Sequence, residues 1–203
     1  MKLSILIPTH KRPNLFFRCL ESVQSLLKGD VEVIVNNDSD DIIPKHYHPN
    51  ISYYYNKFDN LSQVYQFLLS KATGEYVYFL EDDDYLTSNF NVELDSDIIV
   101  GNYMPMFDPV FKFDAMTYFK NGKHTPSEFK GLIDEFLLQL SQYIFKRKVI
   151  ENFDFPMDNN IHNDLKLVLH ACNNSFEVKT LNKIFYHQTQ DGGDNISFPE
   201  SSK

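Results

Sequence analysis

Tryptophan is absent from the 203 residues, and only two are cysteine, Cys19 and Cys172, so no disulfide framework can hold this chain together. Each cysteine falls in an apolar helical pattern, which predicts buried free thiols in a reducing compartment. Basic residues are in deficit: 19 Lys and Arg against 28 Asp and Glu leave a formal charge of −9. That balance argues against a general nucleic-acid or anionic-membrane binder, whose affinity rests on positive charge. Long apolar runs are also missing. Met1 to Ile7 starts like a signal peptide, but Pro8 and then His10-Lys11-Arg12 cut it short, and no other stretch is long enough to cross a bilayer. These absences predict a cytoplasmic protein. Glycine is missing from Pro8 to Pro13, the loop after the first apolar segment, which counts against a nucleotidyltransferase cradling a triphosphate there.

A composition of 42% hydrophobic and 15% aromatic residues is enough for one sizeable core. Leu3 to Ile7 reads as a buried strand. Pro13 opens a helix with Phe16, Leu20, Val23 and Leu27 on one face, and Gly29 ends it. Val31 to Val35 and Ile51 to Tyr55 read as strands, Leu61, Val64, Leu68 and Leu69 as a helix, and Tyr76 to Leu80 as another strand. This alternation predicts an α/β domain with a mixed, mostly parallel sheet flanked by helices, whose ligands bind outside the carboxyl ends of the strands. The second half is less regular. Asp97 to Val100 is strand-like, and Tyr103 to Gly122 reads as a long loop or hairpin near the active edge. Thr125-Pro126-Ser127-Glu128 matches a capping box before a helix burying Phe129, Leu132, Ile133, Phe136 and Leu140. Asn163-Asp164 precedes a helix carrying Leu165, Val168, Leu169 and Cys172, and Phe176 to Tyr186 is extended. The expected organisation is one domain over 1–203 in two halves, 1–102 and 103–203.

The strand rule gathers the polar residues. Thr9 follows the first strand, Asn36-Asn37-Asp38 the second, and Glu81-Asp82-Asp83-Asp84 the Tyr76 to Leu80 strand. Four adjacent carboxylates repel one another, and a divalent cation relieves the field. Extended alternation pairs Glu81 with Asp83, and hard oxygen donors suit Mg²⁺ or Mn²⁺. A solvated acidic turn is the competing reading.

The segments Ser4 to Pro13 and Gly74 to Asp84 resemble the first strand and metal signature of the family 2 glycosyltransferases, which have the Rossmann-like GT-A fold. Asp97 to Asn102, Phe145-Lys146-Arg147 and Asn163 to Leu167 extend the resemblance over most of the chain. The departures are Asn37-Asp38 in place of two aspartates, Glu81 in place of Asp, and Asn163-Asp164 in place of Glu-Asp. The resemblance implies inverting transfer of a sugar from a nucleoside diphosphate, usually UDP, to an acceptor hydroxyl, with Mn²⁺ or Mg²⁺ neutralising the departing diphosphate. It implies a metal held by Asp83 with Glu81 or Asp82, and a nucleotide held by Pro8, Thr9, Arg12, Asn37 and Asp38, with Glu81 and Asp82 near it. Asp164 is the expected base, and His187 a further metal ligand. His162 is another histidine of interest, and Lys146-Arg147-Lys148 either clamps diphosphate or forms a solvated turn.

The expected partners are a nucleoside-diphosphate sugar and a hydroxyl acceptor on a glycan or glycoconjugate. Two alternatives stay open on sequence. One is a phage-type DNA glycosyltransferase acting on a hydroxymethylated base, for which Lys11-Arg12 and Lys146-Arg147-Lys148 are the visible basic residues. The other is a nucleotide-sugar-binding protein without turnover.

Overall fold

A nine-stranded mixed sheet organises the computed structural model, which describes residues 1–106, 119–133, 139–157 and 163–189. In chain order the elements are β1 (Leu3–Thr9), α1 (Pro13–Val23), β2 (Val31–Asn37), β3 (Ile51–Tyr54), α2 (Leu61–Lys71), β4 (Tyr76–Phe79) and β5 (Tyr85–Leu86). There follow β6 (Ile98–Met106), β7 (Gly122–His124), α3 (Pro126–Ile133), β8 (Tyr143–Lys146), α4 (Asn163–Asn173) and β9 (Val178–Thr189). Across the sheet the order is β3-β2-β1-β4-β8-β6-β9-β5, with β7 also paired to β9. Pairing makes β1, β2, β3, β4, β6 and β9 mutually parallel, and β5, β7 and β8 run against them.

Every residue of β1 is buried, as a central parallel strand covered on both faces must be. Alternation divides its apolar side chains: Leu6 joins one core with residues of α2, α3 and α4, and Ile5 and Ile7 join another with Phe16, Cys19 and Leu20 of α1. Ser4 is buried too, but its hydroxyl donates to Glu32 Oε1 (2.6 Å) and accepts from the Gly74 amide (2.8 Å), so it costs little. This contact explains Gly74, where an added Cβ would lie 2.6 Å from Ser4 Oγ.

Several boundaries differ from the sequence reading. The first helix ends at Val23, and a 3₁₀ turn over Gln24–Lys28 carries the buried Leu27 to Gly29. The strand expected over Asp97 to Val100 continues to Met106, because β9 supplies a parallel partner along its length with a bulge near Gly101. Part of the expected Tyr103 to Gly122 loop is therefore strand, and residues 107–118 lie outside the described set. Thr125 and Glu128 form the capping box, and α3 buries Phe129 and Ile133; Leu140 belongs to a separate 3₁₀ turn, and Phe136 lies outside the described residues. Cys19 and Cys172 are buried free thiols. Among the described residues no helix is long and apolar enough to cross a membrane.

Candidate active site

The carboxyl ends of β1, β2 and β4 lie side by side, with Thr9 in register with Asn37 and Leu80 continuing β4 beside Leu6. Beyond Leu80 the chain turns instead of extending: the Asp84 amide donates to the Glu81 carbonyl (3.1 Å). The expected alternation of the four carboxylates therefore gives way to a turn that sends each in a different direction. Helix α1 grips this turn. Arg18 donates to the Asp83 carbonyl (2.7 Å), the Cys19 thiol reaches the Glu81 carbonyl (3.5 Å), and Ser22 Oγ accepts the Leu86 amide (3.0 Å). Residues 18, 19 and 22 share a helix face by their spacing, so one packed surface fixes the acidic turn.

Asp84 is structural: it is buried and accepts the Thr189 amide (3.1 Å), and burial first, then the charge of Asp83, holds its carboxyl well above the usual range. Asp82 is fully buried beneath the β1 loop and accepts from the His10 amide (3.3 Å). Burial pushes it up to about 6 against the pull of Arg12. Asp83 keeps access to solvent, with its side chain 16% exposed. Glu81 turns the other way and accepts from the Tyr65 hydroxyl of α2. Burial, opposed by the Tyr65 bond and reinforced by the charges of Asp83, Asp164 and Asp82, pushes Glu81 up to about 8.

Arg12 closes the constellation. Its guanidinium lies 2.5 Å from Asp82 Oδ1 and 2.6 Å from Asp83 Oδ2. The Asp83 contact is an aligned hydrogen bond, whereas Asp82 Oδ1 has no aligned donor, so that second contact is an ion pair without a formed hydrogen bond. Lys11, with φ of 55°, lies in the left-handed region that non-glycine residues enter at a cost of about 1 kcal/mol, and it bends the chain just before Arg12. Arg12, expected to hold the nucleotide, places two of its guanidinium nitrogens on the acidic turn.

At the end of β2, Asn37 is buried and both ends of its amide serve the following turn: it donates to the Asp41 carbonyl and accepts from Ser39. Asp38 is half-buried, and its carboxylate accepts the Phe58 amide (2.9 Å) while its amide donates to the Thr9 carbonyl. Pro8 and Thr9 lie on the adjoining end of β1, where Thr9 Oγ1 is buried without an aligned partner.

Asp164 lies in the first turn of α4, within the helix rather than before it. The start of α4 docks on the first turn of α2, where Asn163 Nδ2 donates to Ser62 Oγ (3.1 Å), one turn before Tyr65, and the Asp164 charge helps hold the Glu81 and Tyr65 pKa values up. Burial pushes Asp164 up to about 6. His187 on β9 stacks on Tyr85 with ring centroids 4.6 Å apart, beside Arg18, which lies over the same tyrosine. Burial first, then Arg18, lowers its pKa. His162 lies outside the described residues.

The basic run falls elsewhere. Because β8 is antiparallel to β4, Lys146 pairs with Tyr76 at the start of β4, and Arg147 donates to the Gly74 carbonyl (3.0 Å). Lys148 pairs with Asp97 (3.2 Å). These cations therefore occupy the sheet edge opposite the acidic turn, and the clamp reading is corrected. Sequence reasoning also missed Arg18 and Tyr65. Arg18 adjoins buried Cys19 and resembled a surface cation; Tyr65 belongs to the apolar stripe of α2 and resembled core. Among the described residues no three His, Cys, Asp or Glu side chains form a cluster able to hold a metal ion. Two surface clefts, about 390 Å³ beside His46 and Tyr53 and about 400 Å³ beside Leu26 and Phe90, include none of the acidic-turn residues.

Residues 4–94 match the family model for glycosyl transferase family 2, a span covering β1 through the acidic turn and beyond. Within those bounds the chain is similar to that family. The chain is 30% identical over 127 residues to a poly(ribitol-phosphate) beta-glucosyltransferase of Bacillus spizizenii, a match taking in 50% of this chain and 19% of that protein. Its fold matches crystal structures of S. aureus TarS 1-349: the complex with UDP-GlcNAc at a TM-score of 0.72 and 21% identity, over 97% of this chain and 61% of that one. The UDP complex gives 0.70 at 20% identity, over 94% and 61%. The fold is thus that of the GT-A glycosyltransferases, and the chain spans about three-fifths of those structures and a fifth of the curated relative.

Proposed function

We propose that this chain transfers a sugar from a nucleoside diphosphate, UDP by preference, to a hydroxyl of a glycoconjugate with inversion at the anomeric carbon. The observation that carries the reading is the docking of the start of α4 on α2: Asn163 donates to Ser62 Oγ (3.1 Å), one turn before Tyr65, whose hydroxyl donates to Glu81, so Asp164 enters the neighbourhood of the acidic turn at the strand edge where this fold class binds ligands. In the TarS structures that edge belongs to a protein crystallised with UDP-GlcNAc and with UDP, which supports a UDP-sugar donor here. The name of the Bacillus relative supports a sugar- or polyol-phosphate polymer as acceptor class.

Asp164 serves as the base. The acceptor oxygen forms its bond to the anomeric carbon as the bond to the diphosphate oxygen breaks, and the acceptor proton passes to Asp164. A carboxylate titrating near 6 is ionised at neutral pH and basic enough to take that proton. The ends of β1 and β2, with Pro8, Thr9 and Asp38, face the nucleotide, and Asn37 shapes the loop beneath it. The donor set at the turn is all oxygen and suits Mn²⁺ or Mg²⁺. Asp83, which keeps access to solvent, would hold the cation with Asp82 beside it, and Glu81 would join only on leaving Tyr65; His187 is left out of this set because its charged neighbour is Arg18. Such a cation would neutralise charge appearing on the leaving diphosphate.

The test is calorimetric titration with UDP, GDP, CDP and ADP, each with Mn²⁺ and with EDTA. Mn²⁺-dependent binding of UDP alone is expected, followed by transfer from UDP-hexoses to a polyol-phosphate polymer. Absence of binding to all four nucleotides overturns the proposal.

A further inference from the structure

The Arg12 guanidinium stands on the two carboxylates that a cation would use or adjoin, 2.6 Å from Asp83 and 2.5 Å from Asp82. From this geometry we infer that Arg12 is a tethered counter-ion that competes with the divalent cation for Asp83 and makes cation binding depend on the nucleotide diphosphate. This inference rests on the metal reading above.

The backbone around Arg12 is unusually constrained. Lys11 holds a positive φ on one side, and Pro13 fixes the first turn of α1 on the other, with the Arg12 carbonyl accepting the Phe16 amide (2.9 Å). The side chain therefore starts from a fixed point and loses little further freedom on reaching the turn. Removing it would leave Asp82, fully buried with only the His10 amide and the nearby Thr9 hydroxyl, beside a second carboxylate with no cation between them. Two carboxylates without their shared counter-ion attract a divalent cation more strongly than a pair already neutralised. A diphosphate changes the balance. It offers the guanidinium new bidentate acceptors and thereby releases Asp83 to the cation. Arg12 thus acts as a positioning residue that holds Asp83 ready and suppresses cation binding until donor arrives.

The test is Mn²⁺ binding followed by the loss of the free-ion paramagnetic resonance signal, with and without UDP, in wild type, Arg12→Gln, Arg12→Lys and Lys123→Gln. Lys123 of β7 pairs with Glu177 and controls for net charge alone. Wild type is expected to bind Mn²⁺ weakly, and UDP to tighten it. Arg12→Gln should bind Mn²⁺ without UDP about tenfold or more tightly than wild type, the scale of one unit charge removed at short range. Arg12→Lys, which keeps the charge but cannot span both carboxylates, should fall between, and it carries the test if the glutamine variant fails to fold. Lys123→Gln should match wild type within about twofold. Equal or weaker UDP-free binding in both Arg12 variants overturns the inference while leaving the metal reading intact. Absence of Mn²⁺ binding in every protein, with and without UDP, overturns the metal reading and the inference with it.

Discussion

Replacing Asp164 by asparagine should slow transfer and, at neutral pH, stabilise the fold. Burial raises the Asp164 carboxyl from 3.8 to about 6. The folded chain therefore holds this proton more tightly than the unfolded chain does. The associated stability is fully present below about pH 3.8 and is lost as pH rises through about 6. Asparagine never ionises and keeps that stability at every pH. The shift of roughly two units corresponds to about 3 kcal/mol at about 1.36 kcal/mol per unit, an upper bound because the first turn of α4 and water at the partly exposed edge favour the charge. A gain of about 1–3 kcal/mol is the expected range, which for a chain of this size raises Tm by about 2–12 °C.

Thermal unfolding of both proteins at about pH 4 and about pH 7.5, followed by circular dichroism, measures this directly. The two should nearly coincide at the lower pH and separate at the higher one, with the variant more stable. Transfer should fall by about 10²–10⁴-fold, the usual worth of a positioned base, while UDP affinity changes by less than about twofold. A role for the Asp164 charge in stabilising the start of α4 requires the opposite sign at pH 7.5, because asparagine gives up a charge–dipole interaction worth about 0.3–1 kcal/mol. A less stable variant at pH 7.5, or parallel loss of UDP binding and transfer, would refute the base assignment. The expected combination, a carboxylate that weakens the fold where it serves the reaction, is the pattern of a site selected for chemistry over stability.

The pH profile of kcat/KM should rise about tenfold per unit below pH 6 and flatten above it, since Asp164 must be ionised to take a proton; a flat profile between about pH 5 and 7 contradicts this. Tyr65→Phe removes the hydrogen bond that favours the charged form of Glu81, so the pH midpoint of Mn²⁺ binding should move upward in calorimetric titrations at several pH values. Gly101→Ala drives a methyl to 2.3 Å from the Phe185 ring at the β6–β9 bulge and should cost about 1–3 kcal/mol in urea unfolding. Asn60→Ala removes the side chain that accepts the Gln63 amide (3.0 Å) at the start of α2, and should cost about 1 kcal/mol in the same assay.

What the sequence made legible depended on how local the cause was. Three buried strands punctuated by polar residues were enough to bring Thr9, Asn37 and the acidic turn to one edge, because parallel strands with helical crossovers must present their carboxyl ends together. The capping box at Thr125 was equally local, and it formed. Strand direction in the second half is not local. Nothing within Phe145-Lys146-Arg147-Lys148 records that β8 runs antiparallel to β4, and that single fact carries three cations to the far edge of the sheet. The acidic run shows a subtler limit. Its composition announced a concentration of charge, but extended alternation misassigned the partners, because α1 fixes the turn through Arg18, Cys19 and Ser22, three residues whose polar atoms were hidden in an otherwise ordinary amphipathic pattern. The pairing that follows separates the four acids: Asp84 anchors β9, Asp82 and Asp83 share Arg12, and Glu81 accepts from Tyr65. A tetrad of like residues thus becomes four environments, and the difference between those environments, more than the number of carboxylates, is what sets the four acids apart chemically.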